Sequence, residues 1–268
     1  KMKICFLDNS PIPYTTNDLN SKDIRGAENV VIHLSNELTK LDNKVVVFNN
    51  SLENKTINGV KWSNLNNVNR NITYDLAFTN NDMKLFDKII ANKYVAFSHS
   101  IQTIEKFIRK GQLISYLKYK PKIIFGGKYH SNKRNYLLKM FGSINLQWAV
   151  DPLFLETNLD EGIIENRAIF TSRRDRNLDM LIDIWKKKIF TQNKSIKLFT
   201  TPSNLIDNNY NIFTRNFNDK QSMVKDLLKS KVLLVPGHKG EIFCIAAEEA
   251  RELCIPIVTL GIGSLSER

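Results

Sequence analysis

Short apolar runs alternate with amphipathic segments along the first half of the chain. The run Lys3–Leu7 predicts a buried strand, and Gly26–Lys40 carries apolar residues at the spacing of one helix face. Residues 44–48 predict a second strand, so the chain opens with the strand–helix–strand unit of a parallel α/β sheet. Further strands are predicted at residues 60–62, 74–78, 94–97 and 122–125, and further helices at residues 101–110 and 131–140.

The same alternation repeats in the second half. Strands are predicted at residues 168–170, 195–199, 232–235 and 256–259, and helices at residues 178–188, 219–230 and 242–253. This order predicts two Rossmann-like α/β domains in series, residues 1–150 and residues 151–268, with a hinge at residues 149–160. The 268 residues are enough for two domains of about 100–150 residues each.

The composition narrows the class of protein and of partner. The chain is 42% hydrophobic and 25% charged, and no apolar run approaches the ~18 residues that a membrane span needs. The net charge of +12 indicates anionic partners such as nucleic acid, anionic lipid or phosphorylated small molecules. Its three cysteines form no Cys-x-x-Cys or Cys/His pattern, which argues against a disulfide framework or structural zinc and favours a reducing cytoplasm.

The most informative segment follows the strand predicted at residues 232–235. It reads Pro-Gly-His-Lys-Gly-Glu-Ile-Phe-Cys-Ile-Ala-Ala-Glu-Glu-Ala-Arg-Glu-Leu-Cys-Ile-Pro-Ile-Val from residue 236. A glycine-containing loop leads into a helix that is predicted to open at Glu241. The backbone N–H groups of Ile242, Phe243 and Cys244 would then be free at a helix N-terminus beyond a strand's carboxyl end, where α/β sheets bind phosphates.

This segment resembles the hallmark of glycosyltransferase family 4, the group 1 glycosyltransferases of GT-B fold. That hallmark is E-x-F-G-x-x-x-x-E-A followed by P-V-V, and Phe243 stands at its aromatic position. By this resemblance Glu241 contacts the hydroxyls of the donor hexose, and Glu249 rather than Glu248 contacts the ribose of the nucleotide. Cys244 replaces the family's glycine, which would place a side chain near the diphosphate and weaken or shift donor binding. The alternative is an ordinary surface helix that carries two glutamates.

Basic residues follow the first strand of the predicted second domain. Residues 170–179 read Phe-Thr-Ser-Arg-Arg-Asp-Arg-Asn-Leu-Asp, which resembles a shortened form of the family's G-R-x(4–5)-K-G segment. By this resemblance Arg173 and Arg176 clamp the diphosphate, Arg174 is a less certain neighbour, and Asn177 replaces a glycine. Two such cations can offset charge on a departing diphosphate, at ~1.5–3 kcal/mol for each charge-assisted contact. The alternative is a solvated basic turn.

Two positions in the predicted first domain also match the family. Arg25-Gly-Ala-Glu28 resembles its G-G-x-E, in which Gly26 lets backbone N–H groups approach a phosphate or the acceptor, or simply caps the helix. His99 follows a strand and matches the family's histidine that lies close to the donor sugar; a structural histidine is the alternative.

The resemblance implies a retaining glycosyltransferase that moves a sugar from a nucleoside-diphosphate sugar to a hydroxyl of a glycan or lipid-linked acceptor. The donor would lie in a cleft between two facing Rossmann-like domains, and bacterial-type envelope polysaccharide synthesis would fit such an enzyme. The chain contains no Asp-x-Asp, so neither a metal nor another cofactor is expected. Family members continue with further strand and helix units after the last strand, so the second domain is expected to be shortened at its C-terminus.

Three other classes of protein share some of these sequence features. A dinucleotide-dependent oxidoreductase needs G-x-G-x-x-G directly after the first strand, where this chain has residues 8–13, Asp-Asn-Ser-Pro-Ile-Pro. A nucleic-acid-binding protein would explain the charge, but no helix-turn-helix, zinc-finger or ribonucleoprotein pattern is present. A degenerate family member that binds a sugar nucleotide or a partner without turnover stays open, because Arg25, Asn177 and Cys244 stand at family glycine positions.

The segment between Lys106 and Lys139 is strongly basic and contains no acidic residue. Its cations are Lys106, Arg109, Lys110, Lys118, Lys120, Lys122, Lys128, Lys133, Arg134 and Lys139, interleaved with Phe107, Tyr116, Tyr119, Tyr129 and Tyr136. Such a composition favours contact with an anionic membrane surface, since each basic residue near the surface contributes ~1 kcal/mol. The alternative is a solvated basic face.

Overall fold

The computed structural model describes residues 1–19, 21, 24–101, 103–159, 164–202, 205–216 and 219–267. The chain divides into two compact units, unit 1 at Lys1–Gln147 and unit 2 at Trp148–Arg268, against a predicted division after residue 150. Each unit contains its own sheet, parallel or largely parallel, and its own apolar core.

Among its described residues, unit 1 has an eight-stranded sheet of order β3-β4-β2-β1-β5-β6-β7-β8. The strands are β1 Lys3–Leu7, β2 Lys44–Asn49, β3 Lys55–Ile57, β4 Val60–Asn64, β5 Thr73–Asn80, β6 Ile90–Phe97, β7 Lys122–Phe125 and β8 Ser143–Asn145. Neighbouring strands are parallel except that β3 runs antiparallel to β4. The doubly wound sheet that the alternation predicted is therefore present, with β3 and β8 added at its two edges.

The helices of unit 1 are α1 Gly26–Lys40, α2 Ile104–Arg109, α3 Gln112–Tyr119 and α4 Lys128–Lys133. The bounds of α1 are those predicted. The helix predicted at residues 131–140 is wrong, because the chain extends at Arg134 and continues as a separate 3-10 helix at Tyr136–Lys139. Helix α3 was not predicted, and it packs with neighbouring elements over an apolar cluster that includes Phe86, Phe107 and Tyr116.

In its described part, unit 2 has a five-stranded parallel sheet of order β11-β10-β9-β12-β13. The strands are β9 Arg167–Ile169, β10 Lys197–Thr200, β11 Ile212–Thr214, β12 Val232–Leu234 and β13 Ile257–Val258. The helices are α5 Pro152–Glu156, α6 Leu178–Ile184, α7 Phe190–Gln192, α8 Lys220–Leu228 and α9 Ile245–Glu252, with a π-helical turn at Trp185–Ile189 that joins α6 to α7. Because the strands are parallel, all the loops that follow a strand lie at the carboxyl ends of the strands, where α/β folds place their binding sites.

Candidate functional site

The loop after β12 is held against the last described segment of unit 2 by two glycines. Gly237 has φ +90°, and a Cβ atom there would collide with the Ile262 carbonyl oxygen. Gly263 has φ +74°, and a Cβ atom there would collide with the His238 carbonyl oxygen. Only glycine fits either position, so backbone lies directly on backbone and the path of residues 237–241 is fixed.

His238 joins this loop to the loop after β9. Its Nδ1 atom accepts a hydrogen bond from the Gly240 N–H at 3.0 Å and lies 3.1 Å from Nη1 of Arg176. Since an arginine can only donate, Nδ1 is the acceptor for both groups and the ring proton belongs on Nε2. Sequence reasoning assigned His238 no role, and its position beside the donor loop was the only signal for it.

Asn177 ties the same two loops at a second point. Its side-chain amide donates to the Gly237 carbonyl oxygen at 2.5 Å. The Asn177 backbone is left-handed, with φ 65° and ψ 32°, a conformation that glycine adopts freely and asparagine tolerates better than most residues. The family's glycine at this position is thus replaced by a residue that can keep the backbone geometry.

Glu241 lies among the cations that the sequence placed beside it. Its residue exposure is 9%, and its buried Oε2 atom has no hydrogen-bond partner among the described residues. Burial raises the pKa of the Glu241 carboxyl, and the nearby charges of Arg176 and Arg173 oppose that rise. Arg173 itself is exposed and bonds Asp175 at 3.0 Å. The structure therefore brings Arg173, Arg176 and Glu241 together at the carboxyl ends of β9 and β12.

The helix predicted to open at Glu241 begins later, at Ile245 with Cys244 as its N-cap. The Glu241 N–H bonds the His238 carbonyl at 2.9 Å, and the Glu241 carbonyl accepts from the Ser264 N–H at 3.0 Å. The helical ladder instead starts at the Cys244 carbonyl, which accepts from the Ala247 and Glu248 N–H groups. The prediction is wrong for Ile242 and Phe243, whose N–H groups precede the helix, whereas Cys244 does stand at its start.

Cys244 contacts both the candidate site and the core, since its side chain hydrogen-bonds to the Glu241 carboxylate. Its side chain is fully buried and packs into the apolar cluster of unit 2 with Ala247, Leu253 and Leu265. Its backbone φ of −91° is one that any residue adopts. The expected effect of Cys244 on donor binding stays a prediction. Phe243 is also buried, with its ring centroid 6.5 Å from that of Trp148.

Of the two adjacent glutamates on α9, Glu249 has the carboxylate that is free to bind a ligand. Glu248 is buried and paired with Arg251, whereas Glu249 is half-buried and has no hydrogen-bond partner in the described part of the chain. Burial raises the pKa of Glu249 to about 7, Lys220 opposes the rise, and Asp151 adds to it. Lys220 and Asp151 pair with each other at 2.5 Å.

In unit 1, Gly26 is the first residue of α1 and Arg25 is its N-cap. Nη2 of Arg25 lies 2.6 Å from Oε1 of Glu28, which is buried and also accepts from the Ser10 hydroxyl at 2.7 Å. The arginine that replaces a family glycine thus supplies the positive partner of a buried carboxylate. It fixes the start of the helix beside Gly26.

His99 follows β6 at the carboxyl edge of the unit 1 sheet. Its backbone N–H donates to Oδ1 of Asn81 at 2.8 Å, and its ring stacks on Phe97 with centroids 6.0 Å apart. Burial lowers the pKa of His99 to about 4, helped by His130, so the imidazole is neutral near pH 7. His130 is fully buried, and its Nδ1 atom accepts a hydrogen bond from the Gly126 N–H at 3.3 Å. His130 was assigned no role from the sequence, and in the structure it packs beneath the loops at the carboxyl ends of the strands.

Only some side chains of the basic segment between Lys106 and Lys139 are exposed to solvent. Phe107, Tyr116 and Arg134 are buried, and the hydroxyl of Tyr119 bonds Asp87. Of the aromatic residues that the sequence singled out there, Tyr136 is the exposed one, at 81%. Other exposed apolar side chains share the segment with exposed lysines; they are Ile108, Ile114, Leu117 and Leu137.

Two features are absent from the described residues. No group of three or more His, Cys, Asp or Glu side chains is arranged to hold a metal ion. No helix is both long and apolar enough to cross a membrane.

No family model matches the chain, and no curated protein matches it in sequence. Solved structures do match. The chain is similar to sucrose-phosphate synthase from Thermosynechococcus elongatus, with TM-score 0.62 and 12% identity over 99% of this chain and 83% of that one. The fold is that of the GT-B glycosyltransferases.

Two further GT-B structures show the same likeness. HepE of Anabaena in complex with UDP and glucose matches with TM-score 0.65 and 14% identity, over 100% of this chain and 83% of that one. WaaG, a glycosyltransferase involved in lipopolysaccharide biosynthesis, matches with TM-score 0.56 and 12% identity, over 96% of this chain and 80% of that one.

Replacing Asn177 tests the left-handed position in the loop after β9. Asn177→Ala is expected to lower the free energy of unfolding by about 2 kcal/mol, because alanine pays the left-handed penalty and loses the bond to Gly237. Asn177→Gly loses only the bond and is expected to cost about 1 kcal/mol less. Urea unfolding measures both; a glycine variant no more stable than the alanine variant would contradict this geometry.

Replacing Glu249 by Gln is expected to change how stability depends on pH. The folded state retains the Glu249 proton between its ordinary pKa of 4.5 and its raised pKa of about 7, whereas the unfolded state has lost it. Native stability is therefore lost as pH rises through that window, and the glutamine variant escapes this loss.

The melting temperature of Glu249→Gln, relative to the unaltered protein, should rise between about pH 4.5 and about pH 7.5. Glu252→Gln on the same helix controls for the loss of one carboxylate. If both variants follow the same pH profile, the raised pKa of Glu249 is refuted.

Proposed function

We propose that this chain is a glycosyltransferase that uses a nucleoside-diphosphate sugar as donor and retains the configuration of the transferred sugar, as the resemblance to family 4 implies. The observation that carries the proposal is the set of contacts that joins Arg176, His238 and Glu241 in unit 2. In that arrangement cations face a buried carboxylate with an unused oxygen at the carboxyl edge of a parallel sheet. The GT-B fold and the UDP bound by HepE support it.

Each residue then has a definite task. Arg173 and Arg176 meet the diphosphate, Glu241 accepts hydrogen bonds from donor sugar hydroxyls, and Glu249 accepts from the ribose. The backbone N–H groups at the start of α9 add donors for phosphate oxygens. By the same resemblance, His99 binds the sugar and Gly26 serves the acceptor side.

The reaction needs no covalent intermediate on the protein. The bond between the sugar and the diphosphate breaks, and the acceptor hydroxyl attacks from the same face. Its proton passes to the departing phosphate, whose growing negative charge Arg173 and Arg176 stabilise. Because these cations can perform the electrostatic task of a metal ion, transfer is expected to persist in excess chelator.

The alternative function is that of a degenerate family member, which binds a sugar nucleotide or a partner without turnover. It rests on three positions where another residue replaces a family glycine, and each replacement has a local structural explanation. Asn177 tolerates its left-handed backbone, Cys244 caps α9 from inside the core, and Arg25 pairs with Glu28. These accommodations preserve the scaffold that an active enzyme and a binding module both require. A transfer assay separates the two, since a module would bind donor without turnover.

The double variant Arg173→Ala with Arg176→Ala tests the assigned chemistry. Its transfer rate from UDP-glucose should fall by at least about 100-fold and its donor affinity by less, because the charge that the arginines meet grows in the transition state. Arg174→Ala, whose side chain pairs with Asp179, is the matched control. Turnover near that of the unaltered protein would refute the role, and calorimetry of UDP reports the affinity.

For the acceptor, the proposal is a glycan or lipid-linked molecule at an anionic membrane surface, in bacterial-type envelope polysaccharide synthesis. Ile114 and Leu117 lie three positions apart on α3, with exposures of 77% and 47%, and Lys110 and Lys120 flank the helix. Apolar side chains beside exposed cations suit the headgroup region of such a membrane. The role of WaaG in lipopolysaccharide biosynthesis is in keeping with this acceptor class.

Sedimentation with vesicles tests the membrane contact. Binding should require anionic lipid and fall as salt shortens the Debye length, and Ile114→Ser with Leu117→Ser should weaken it by about tenfold. Leu52→Ser, at an exposed apolar residue of the same unit, is the control. Equal recovery with neutral and anionic vesicles would exclude the electrostatic surface.

A further inference from the structure

Unit 2 contains a second polar cavity that the proposed donor site does not use. This cavity, the α8 groove, has a volume of about 350 Å³ and lies between α8 and the end of the edge strand β11. Its polar lining residues are Thr214, Arg215, Asn216, Ser222, Lys225 and Lys229, together with Asp226. The space is large enough for a phosphate-sized group and several waters.

Arg215 is the buried anchor of the α8 groove. Its side chain is 2% exposed, and its Nε donates to Oδ2 of Asp226 at 2.8 Å. Its buried Nη1 has no hydrogen-bond partner within the described ranges. A buried guanidinium N–H without a partner is costly, and such groups in native proteins are normally satisfied by a ligand, an ion or a water.

The charge around Asp226 leaves a positive surplus. Its carboxylate is shared, since Arg167 is also buried and lies 3.4 Å from Oδ1. Lys225 and Lys229 add two exposed ammonium groups to the lining, and neither forms an ion pair within the described part of unit 2. Asp226 and Glu165 therefore face two buried guanidiniums. Lys225, which lies near Asp219, and Lys229 add two further positive charges to the groove.

We propose that the α8 groove is a binding site for a phosphate group, presented either as inorganic phosphate or as a phosphomonoester. Arg215 supplies the fixed N–H donor, and Lys225 and Lys229 supply charge. Charge-assisted hydrogen bonds of this kind are among the strongest in proteins. The residues differ from those of the donor site, whose cations are Arg173 and Arg176.

Calorimetry with the full chain tests the proposal. The probes are inorganic phosphate and glycerol 3-phosphate, titrated into Arg173→Ala with Arg176→Ala so that the proposed diphosphate clamp does not contribute. One phosphate should bind per chain, and adding Lys225→Ala with Lys229→Ala should weaken it by at least about tenfold. Lys188→Ala with Lys194→Ala, at two exposed lysines elsewhere in unit 2, removes the same charge and should change the affinity less than about twofold.

Each outcome decides the proposal. Tighter binding of glycerol 3-phosphate identifies a monoester as the natural class, and tighter binding of inorganic phosphate identifies the free ion. No stoichiometric binding, or equal loss in both lysine pairs, overturns the site. Arg215→Lys, which retains one charge near Asp226, should weaken phosphate binding while far-ultraviolet circular dichroism confirms folding. Titration of UDP into the unaltered protein is a separate measurement. Absence of UDP binding would refute the assignment of the donor site but would not affect the proposal of a phosphate site in the α8 groove.

Discussion

One ring nitrogen organises the candidate site of unit 2. Nδ1 of His238 accepts from the Gly240 N–H and from Arg176, so a single acceptor fixes both the turn after β12 and the guanidinium that follows β9. The two glycines at 237 and 263 make this possible, because only their lack of a Cβ atom lets the loop lie directly on the backbone of residues 262–263. Without that close approach the turn would move, and Arg176 would lose the acceptor that orients it.

Burial gives the carboxylates of this unit their distinct characters. Desolvation dominates at both Glu241 and Glu249, and it raises the pKa of each. Arginines counter that rise at Glu241, whereas a lysine and an aspartate act in opposite directions at Glu249. A carboxylate held among cations stays ready to accept from hydroxyl groups, and one with a pKa of about 7 responds to small changes in its surroundings.

The sequence predicted those elements whose signal is local. Strand β1, helix α1 and strand β7 have the bounds that hydrophobic periodicity indicated. Strands β3 and β8 were missed because they are short and their side chains are mostly exposed, which leaves no apolar run to detect. The opening of α9 was misplaced because Glu241 belongs to the loop, where its N–H bonds His238 and its carbonyl bonds Ser264, a residue far away in sequence. His238 was missed for the same reason, since its partner Arg176 lies in another loop.

A glycine in a family's sequence pattern can be required by the backbone conformation or by the chemistry of the site. The positions where this chain has another residue in place of such a glycine distinguish these two requirements. Asn177 stands where the backbone is left-handed, and asparagine is among the side chains that tolerate that conformation. Cys244 stands where φ is ordinary, so its side chain turns into the core without strain. Arg25 precedes a helix in an extended conformation, and its side chain meets a buried carboxylate. A glycine can therefore be lost without losing the scaffold when its successor fits the local backbone and has a place for its side chain. Gly237 and Gly263 cannot be replaced in this way, since a Cβ atom at either position would collide with a carbonyl oxygen.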